Sequence, residues 1–396
     1  MTGSDTARQT CPQGRRERPD CLDSCHDRPP AASGRPVMSR RASRRWQVSS
    51  ALCAAPVAVV SLFRAVPAPW PSPVVQLVAF TPWFALPAGA AFLLALPARR
   101  PWAVLPAGAL LALQLLWLFP PDRVADRLLA AQADPLQGGQ QGAEHEAGTG
   151  QPPATELKVM TFNAWKGQAD AAEVVRLVRE NGVELLAVQE LSPALERRLD
   201  AEGLGTLLPH RISRAVEGAG GGGVYSSRPI APLDSVDGSA FHMPTVRVDL
   251  GPAPAGDPNG RPVSLDVTNV HTKAPVWGRA GQWRSELAAL GRVAVRPGNV
   301  LLLGDFNATL DHAEFRRMLA GGESGAGPGG PLVDAGAAAL ARLIPTWPQA
   351  GPPLPGVVID HVVTSPQVRS YGYSVLPVAG SDHAAVLATL RVPAGG

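Results

Sequence analysis

The chain has 396 residues and a formal net charge of +3 at pH 7. The positive excess lies in the N-terminal part, because residues 157–396 contain 21 Lys and Arg against 22 Asp and Glu. A nonspecific nucleic-acid-binding domain is expected to carry a basic excess, so this balance argues against that class of protein for the C-terminal part.

Residues 1–45 are predicted to be a disordered basic tail, because Arg, Pro, Asp and Gly dominate the segment. The cysteines of this tail fit no usual zinc-ligand spacing, which favours a tail without a metal site. All four cysteines of the chain precede residue 157, and a cysteine-free C-terminal part is compatible with an oxidising exterior. Met38 directly precedes an Arg-rich run, so the sequence is consistent with translation from either Met1 or Met38.

Residues 46–119 are predicted to form three transmembrane helices. Three apolar stretches, at residues 46–66, 73–96 and 102–119, each approach the ~20 residues that a helix needs to cross a membrane. A secretory signal followed by buried core helices is the alternative interpretation. Three successive stretches with almost no charge favour the membrane.

The positive charges predict how these helices are oriented. The loop at 67–72 has no Lys or Arg. Under the positive-inside rule, the clusters before the first span and between the second and third spans are cytoplasmic, which places everything after Phe119 outside the cytoplasmic membrane. Residues 120–156 are rich in Gln, Gly and Ala and are predicted to be a flexible linker. The cytoplasmic clusters consist of Arg40, Arg41, Arg44 and Arg45 and of Arg99 and Arg100.

Residues 157–393 alternate short apolar runs with amphipathic segments, which is typical of an α/β fold. Strands are predicted at 157–163, 184–190, 223–227, 245–250, 263–271, 300–304, 357–364 and 384–392. Helices are predicted at 171–181, 278–295 and 311–319. The run GAGGGG at 218–223 lacks the strand and helix that would frame a phosphate-binding loop, so a flexible surface loop is favoured there.

Polar side chains recur where the apolar runs end. Asn163 closes the first strand, Glu190 the second, and His271 the long strand that ends with TNVH. Polar groups at the ends of buried strands are costly unless they are paired or bind a ligand, so one shared site is the economical explanation. The later candidates are Asp305, Asn307, Asp360, Asp382 and His383.

The motifs TFN, QE, TNVH, GDFN, IDHV and SDH, in this order, resemble those of the endonuclease/exonuclease/phosphatase superfamily. The resemblance covers residues 157–393. It implies an α/β fold of the four-layered sandwich type, with two packed β-sheets flanked by helices, preceded here by the three-helix transmembrane region. It also implies a metal-dependent phosphoric ester hydrolase with its site at one edge of the sheets.

The same resemblance implies a divalent-metal site. Hydrolysis of a phosphate ester requires neutralised phosphate oxygens, an activated water and a protonated leaving group. Glu190 is the first candidate ligand for Mg²⁺, with Mn²⁺ as the other candidate ion, because both accept oxygen donors. Asn163 and Asp382 are expected near the metal. The alternatives are a helix-start carboxylate for Glu190 and a strand-ending turn residue for Asn163.

The remaining candidates are assigned to the reaction itself. Asp305 and Asn307 share one face of an extended chain, and in the superfamily such a pair positions the water and binds the phosphate. A turn after a strand would also favour Asp and Asn. His383 is the candidate general base, oriented by Asp360, because imidazole titrates near neutral pH. His271 is expected to stabilise or protonate the phosphoryl transition state.

Two of the eight histidines directly follow an aspartate in the motifs IDHV and SDH, and they are given different roles. His361 follows Asp360 on a strand, so its side chain should point to the opposite face and pack there. His383 keeps the catalytic assignment.

The substrate is less defined than the reaction. Three spans followed by this domain resemble actinobacterial membrane proteins linked to teicoplanin resistance, which implies a lipid-linked phosphate substrate beside the bilayer. An extracellular magnesium-dependent nuclease is the alternative enzyme, although nucleic acid is the less expected partner. A catalytically inactive, membrane-bound binding module is the non-enzymatic alternative.

Overall fold

The computed structural model describes residues 40–121, 123–124, 154–252, 260, 262–294, 296–322, 330–338, 340–350 and 355–394. Most of the predicted tail and linker therefore lies outside the described residues. The helices are α1 (Arg40–Ala65), α2 (Ser72–Ala79), α3 (Ala85–Ala95), α4 (Pro101–Leu118), α5 (Ala171–Asn181), α6 (Pro193–Ala201), α7 (Leu204–Leu207), α8 (Ala280–Ala294), α9 (Ala313–Leu319) and α10 (Ala335–Ala338). Short 3₁₀ turns at Thr81–Phe84 and Leu96–Ala98 flank α3.

Twelve strands are described in residues 154–394. They are β1 (Ala154–Asn163), β2 (Leu185–Gln189), β3 (His210–Arg214), β4 (Gly222–Ser226), β5 (Ile230–Leu233), β6 (Thr245–Asp249), β7 (Ser264–His271), β8 (Val300–Asp305), β9 (Val333–Asp334), β10 (Asp360–Thr364), β11 (Arg369–Pro377) and β12 (Ala384–Pro393).

The strands form two six-stranded mixed sheets. One has the order β11-β12-β1-β2-β4-β3 and the other β5-β6-β7-β8-β10-β9. Each sheet contains one parallel pair near its middle, β1 with β2 and β7 with β8, and the other neighbours are antiparallel. The two parallel pairs therefore end in the interior of their sheets and not at an edge strand.

Residues 154–394 form the domain that is predicted to be catalytic, and we call it the catalytic domain. Three apolar layers stabilise it and account for its four-layered order. One cluster lies between the two sheets and includes Val159 from the first sheet and Val267 from the second. A second packs α5 and α6 on the first sheet, and a third packs α8 and α9 on the second. Two packed sheets covered by helices on both sides confirm the predicted α/β sandwich.

Local sequence explains where the helices start and stop. The carboxylate of Asp170 accepts a hydrogen bond from the Glu173 N–H at 3.0 Å and caps α5. Gly182 ends this helix in the left-handed region, at φ 62°, which glycine adopts without a Cβ penalty. Ser192 caps α6 in the same way, and Pro193 follows it at the first helical position, where the missing N–H is harmless.

Three helical segments are long and apolar enough to cross a membrane: Arg41–Ala65, Thr81–Ala98 and Pro101–Leu118. Their number agrees with the sequence prediction, but the second span starts later than expected. The predicted stretch from residue 73 is divided, because Ser72–Ala79 forms the separate helix α2. Val75 on this helix is buried in the same cluster as Trp283 of α8, so α2 packs on the catalytic domain.

The catalytic domain contacts the three spans at one end of the helical bundle, which we call the domain-facing end. The opposite end carries the arginines in the first two turns of α1 and those between the second and third spans. Side-chain hydrogen bonds join each of the three spans to the catalytic domain at the domain-facing end, and they include Arg64 with Asp311, Trp83 with the Gly356 carbonyl, and Arg342 with the Trp117 carbonyl.

The prediction of a flexible surface loop at residues 218–223 was wrong for the second half of this glycine run. Gly221 is buried, and Gly222 and Gly223 are buried within β4. A Cβ atom at Gly221 would overlap the Leu191 carbonyl, and one at Gly222 would overlap the His242 carbonyl. The glycines are thus required for close backbone approach inside the sheet.

Candidate active site at the carboxyl ends of two parallel strand pairs

Strand register brings the first four candidate residues together. Asn163 is paired with Gln189, directly before Glu190, at the end of the parallel pair β1–β2. His271 is paired with Asp305 at the end of the parallel pair β7–β8. The carboxyl ends of both pairs lie next to each other across the sandwich, so Asn163 reaches Asp305 over 142 residues of sequence.

Asn163 joins the two sheets at this point. Its Nδ2 donates to Asp305 Oδ2 at 3.1 Å and to Glu190 Oε1 at 3.3 Å. Glu190 has a left-handed backbone, at φ 54°, and its Oε2 accepts from the Lys166 N–H at 2.7 Å. A non-glycine residue held in this region of backbone space is a local strain that functional sites often contain. The carboxylates of Glu190 and Asp305 consequently face one common space.

Asp360 and His383 form the second half of the cluster. Asp360 is the first residue of β10, lies opposite Asp305, and is fully buried. Its Oδ2 lies 2.9 Å from the Nδ1 of His383. With its Nδ1 at Asp360, His383 places its Nε2 3.9 Å from Asp305 Oδ2. A carboxylate on one ring nitrogen fixes the tautomer and leaves the other nitrogen free for proton transfer.

Asn307 and His271 complete the cluster from the second sheet. Asn307 also has a left-handed backbone, at φ 45°, and its Nδ2 donates to the Thr272 carbonyl at 3.0 Å and to Asp305 Oδ2 at 3.2 Å. His271 is buried, and its Nε2 lies 3.7 Å from Glu190 Oε1 and 3.8 Å from Asp305 Oδ2.

Asp382 lies on the His383 side of the cluster. Its Oδ1 is 4.0 Å from His383 Nε2, and its Oδ2 accepts from Trp347 Nε1 at 3.2 Å. All eight predicted site residues thus belong to one cluster, with Asp305 between the pair Asn163–Glu190 and the pair Asp360–His383.

The electrostatics of this cluster show an excess of buried negative charge. Burial, and then the neighbouring Asp360, raise the pKa of Asp305 to about 7. Burial opposes the charged form of His383, but Asp360, Asp305 and Asp382 together raise its pKa to about 10. Burial, His383 and Lys273 lower the pKa of His271 to about 3, so this imidazole is neutral.

The donor atoms suit a small hard cation. Ligand atoms of Asp305, Asp360 and His383 lie within 4.8 Å of one another. Asp360 is already engaged by His383, whereas Glu190 and Asp305 present carboxylate oxygens to the space next to Asn163. Oxygen donors of this kind bind Mg²⁺ and Mn²⁺. A cation here would also offset the charge that keeps the pKa of Asp305 raised.

Sequence reasoning missed several residues at this site. Trp347 lies beside Asp382 and His383, with its ring centroid 6.5 Å from the imidazole. Lys273 places its Nζ 4.3 Å from the ring of Phe241, which stacks on His271. Lys273 follows the TNVH motif by two residues, and this nearness was the available signal; Trp347 had none, because only tertiary packing brings it here.

His361 is placed as the strand alternation predicts. It is buried on the opposite face of β10 from Asp360, where its Nε2 is 2.8 Å from the Ala308 carbonyl and its ring contacts Phe315. Asp334 lies 3.3 Å from its other ring nitrogen. These partners make it a packing residue.

The chain is similar to a known protein family and to several solved structures. The family described as "Endonuclease/Exonuclease/phosphatase family" matches residues 160–383, which is more than half of the chain. No curated protein sequence matches the chain.

Several solved structures resemble the chain at low sequence identity. A humanized D. rerio TDP2 is 14% identical, with 59% of this chain and 98% of that chain covered and a TM-score of 0.43. The endonuclease/exonuclease/phosphatase from Beutenbergia cavernae is 18% identical, with 60% and 72% covered and a TM-score of 0.42. The human Nocturnin catalytic domain, solved with a bound sulfate anion, is 14% identical, with 61% and 96% covered and a TM-score of 0.40.

Proposed function

Because the chain belongs to the endonuclease/exonuclease/phosphatase family, whose members are hydrolases, we propose that it is a metal-dependent phosphoesterase anchored in the membrane. The proposed substrate is a lipid-linked phosphate ester at the outer face of the membrane. The observation that carries the proposal is the position of Asp305, which lies between the Asn163–Glu190 pair and the Asp360–His383 pair.

Glu190 and Asp305 are the residues proposed to hold a divalent cation, with Asn163 beside them and Asp382 nearby. When bound, such a cation neutralises phosphate oxygens and lowers the pKa of a bound water. The fit rests on the carboxylates of Glu190, Asp360 and Asp382 around Asp305, whose pKa burial and Asp360 raise to about 7. Mg²⁺ is proposed first and Mn²⁺ second, because the donors are oxygens.

His383 is proposed to accept a proton from the attacking water at its Nε2. Its Nδ1 is held 2.9 Å from Asp360, so the ring cannot turn away. The pKa of about 10 reflects the surrounding carboxylates, and positive charge placed among them would lower that pKa towards the range of a base. Asp305, 3.9 Å from the same nitrogen, is proposed to orient the water.

The substrate phosphate is proposed to lie against Asn307 and His271. His271 is neutral and buried, so a hydrogen on its Nε2 can be donated to a phosphate oxygen without the cost of burying a second charge. Lys273, two residues further, supplies positive charge beside Phe241 at the same end of β7. The leaving-group oxygen would take its proton from this side of the site.

The location outside the membrane is proposed from the arrangement of the spans. The arginines in the first two turns of α1 and those between the second and third spans lie at the end remote from the catalytic domain, and the positive-inside rule assigns that end to the cytoplasm. The domain-facing end, with Arg64 and Trp117, then lies outside. Together with the resemblance of the sequence to teicoplanin-resistance membrane proteins, which stays a prediction, this proposed placement favours a lipid-linked phosphate as substrate.

The test combines topology with turnover. A reporter enzyme that is active only outside the cytoplasm, fused after Gly396, should be active, and activity of a cytoplasm-only reporter would refute the orientation. The purified full-length chain in nanodiscs should hydrolyse a polyprenyl pyrophosphate or a phospholipid in Mg²⁺ and leave plasmid DNA intact. The variant His383→Ala should not hydrolyse either lipid. Cleavage of DNA alone would instead establish a nuclease.

A further inference from the structure

The exposed apolar side chains of the catalytic domain are unevenly placed. Five large apolar residues in its described part are more than one-third exposed, and three of them adjoin segments that contact the spans. These three are Trp277, at 93% exposure, Leu343, at 42%, and Ile344, at 50%. The other two are Trp165, beside the catalytic cluster, and Tyr371.

Trp277 lies next to a contact between the catalytic domain and the connection of the first two spans. Its backbone is left-handed, at φ 47°, and the next residue, Gly278, donates its N–H to Ser72 Oγ at 3.2 Å. Ser72 starts α2, the helix between the first and second spans. A large aromatic side chain that is 93% exposed thus lies next to a backbone hydrogen bond between Gly278 and the connection of the first two spans.

Leu343 and Ile344 are attached to the third span. The preceding Arg342 donates to the Trp117 carbonyl near the end of α4, and it also donates to Asp311 at 2.6 Å. The chain then returns to the catalytic cluster within three residues, because Trp347 lies beside His383. One short segment therefore connects a span, two exposed apolar side chains and the catalytic cluster.

Positive charge accompanies these apolar side chains. Arg64, Arg316 and Arg342 surround the single carboxylate of Asp311, with Arg316 donating to the Asp311 and Arg64 carbonyls. The neighbouring Arg284 is balanced by Glu314 at 3.1 Å, so the excess around Asp311 remains. The side chains of Arg64 and Arg342 are largely buried, at 11% and 9% exposure, so the fit to the headgroup boundary of a membrane rests on the exposed apolar side chains.

We propose that Trp277, Leu343 and Ile344 form an interfacial rim that inserts into the lipid leaflet on the catalytic-domain side of the membrane. The occupant is the bilayer that the same chain's spans cross, because the rim is continuous with the ends of those spans. Trp prefers the membrane–water interface, and Leu and Ile prefer the acyl region below it. The inference rests on the membrane anchorage within the proposed function and is independent of its chemistry.

The rim would place the catalytic cluster directly above the lipid headgroups. His271 precedes Trp277 by six residues, and Trp347 follows Ile344 by three. A phosphate attached to a lipid would then reach the carboxylates without leaving the bilayer, whereas a soluble phosphate ester would gain nothing from the rim.

Depth-dependent quenching tests the rim directly. The full-length chain, with Ser in place of its four cysteines, is labelled with a fluorophore at Trp277→Cys or Ile344→Cys and placed in nanodiscs of phosphatidylcholine and phosphatidylglycerol. Spin-labelled phosphatidylcholine should quench both positions several-fold more than the matched control, Tyr371→Cys. Tyr371 is 42% exposed, close to Ile344 at 50%, but it pairs with Thr389, towards the end of its sheet remote from the catalytic cluster. The replaced residues are Cys11, Cys21, Cys25 and Cys53.

A label at Leu62→Cys, on the exposed face of the first span, separates the two possible failures. Quenching at position 62 with no more quenching at 277 and 344 than at 371 would refute the rim and leave the membrane anchorage intact. Absence of quenching at all of these positions would refute both. Strong quenching at 277 and 344 supports the rim even if the chain hydrolyses no lipid.

Discussion

Two buried carboxylates, Asp305 at the end of β8 and Asp311 six residues later, have opposite electrostatic surroundings. Asp305 faces Asp360 and receives only the neutral amides of Asn163 and Asn307 as close donors, and burial and Asp360 raise its pKa to about 7. Burial alone would also raise the pKa of Asp311, but Arg342 and Arg64 lower it below its usual value. Both arginines donate to Asp311 at 2.6 Å.

The difference separates a structural charge from a functional one. At Asp311 the protein supplies more counter-charge than the carboxylate needs, so the group is stable without any ligand. At Asp305 burial and Asp360 outweigh the nearby His383, so a divalent cation between Glu190 and Asp305 would add favourable counter-charge. The same loop thus anchors the catalytic domain to the spans at one end and carries the reactive cluster at the other.

The largest expected effect is the loss of turnover in Asp305→Asn. This change removes the central carboxylate but keeps its shape, so kcat should fall by about 10²- to 10⁴-fold, the range for a positioned catalytic group. The midpoint of thermal unfolding should not fall, because Asp360 loses a repelling neighbour. Steady-state kinetics on a soluble chromogenic phosphodiester and a thermal melt measure both. The control is Asp200→Asn, on the exposed face of α6. Near-normal turnover of Asp305→Asn would contradict the assignment.

Asp311→Asn should show the opposite pattern. It leaves two arginines at the interface without their counter-charge, and breaking a buried ion pair costs about 3 to 5 kcal/mol of unfolding free energy. A lowered midpoint of thermal unfolding of the full-length chain in nanodiscs is the measurement. Asp200→Asn again serves as the control, because its ion pair with Arg211 is exposed and contributes about 0 to 1 kcal/mol. An unchanged midpoint in Asp311→Asn would show that the ionic contact between spans and domain is not structural.

Mg²⁺ should stabilise the native chain and neither cluster variant. Binding to the folded state raises stability by about 2.7 kcal/mol when the ion is present at a hundred times its dissociation constant. We expect the thermal midpoint to rise with Mg²⁺ in the native chain and in Asp311→Asn, but not in Asp305→Asn or Glu190→Gln. Equal shifts in all four proteins would place the ion elsewhere.

The smallest expected effect is a dependence on acid. The folded pKa of Asp311 is depressed, so its stabilising contribution is complete above its usual value of 3.8 and is lost as the pH falls through the lower folded value. The difference in thermal midpoint between the native chain and Asp311→Asn should therefore be constant near neutral pH and shrink below about pH 4. A difference that shrinks already between pH 7 and 5 would show that Asp311 is not held by its arginines.

The sequence was sufficient to predict the α/β sandwich, and the structure places the eight predicted site residues in one cluster, while their roles stay predictions. Apolar runs such as residues 300–304 predict buried strands, and the polar residues that follow them mark the strand ends, where parallel pairs converge. All four edge strands, β3, β5, β9 and β11, were missed, because their short or half-exposed sequences lack a sustained apolar pattern. The buried glycines of β4 were misread, because close backbone approach depends on neighbours that the sequence does not identify.

The contacts between spans and catalytic domain could not have been predicted. Arg64 and Asp311 are 247 residues apart, and neither lies in a motif that names the other. From the sequence, Arg64 was only a charge near the end of an apolar stretch, and the start of α2 was assigned to the second span. Tertiary packing of Val75 against the catalytic domain decided that boundary.

The most direct test of the central claim is turnover of a soluble chromogenic phosphodiester by the full-length chain, before and after removal of divalent cations with EDTA. A cation held by Glu190 and Asp305 predicts that activity is lost in EDTA, returns with Mg²⁺ or Mn²⁺, and does not return in Asp305→Asn. Equal turnover with and without EDTA would contradict a metal-dependent phosphoesterase built on these carboxylates.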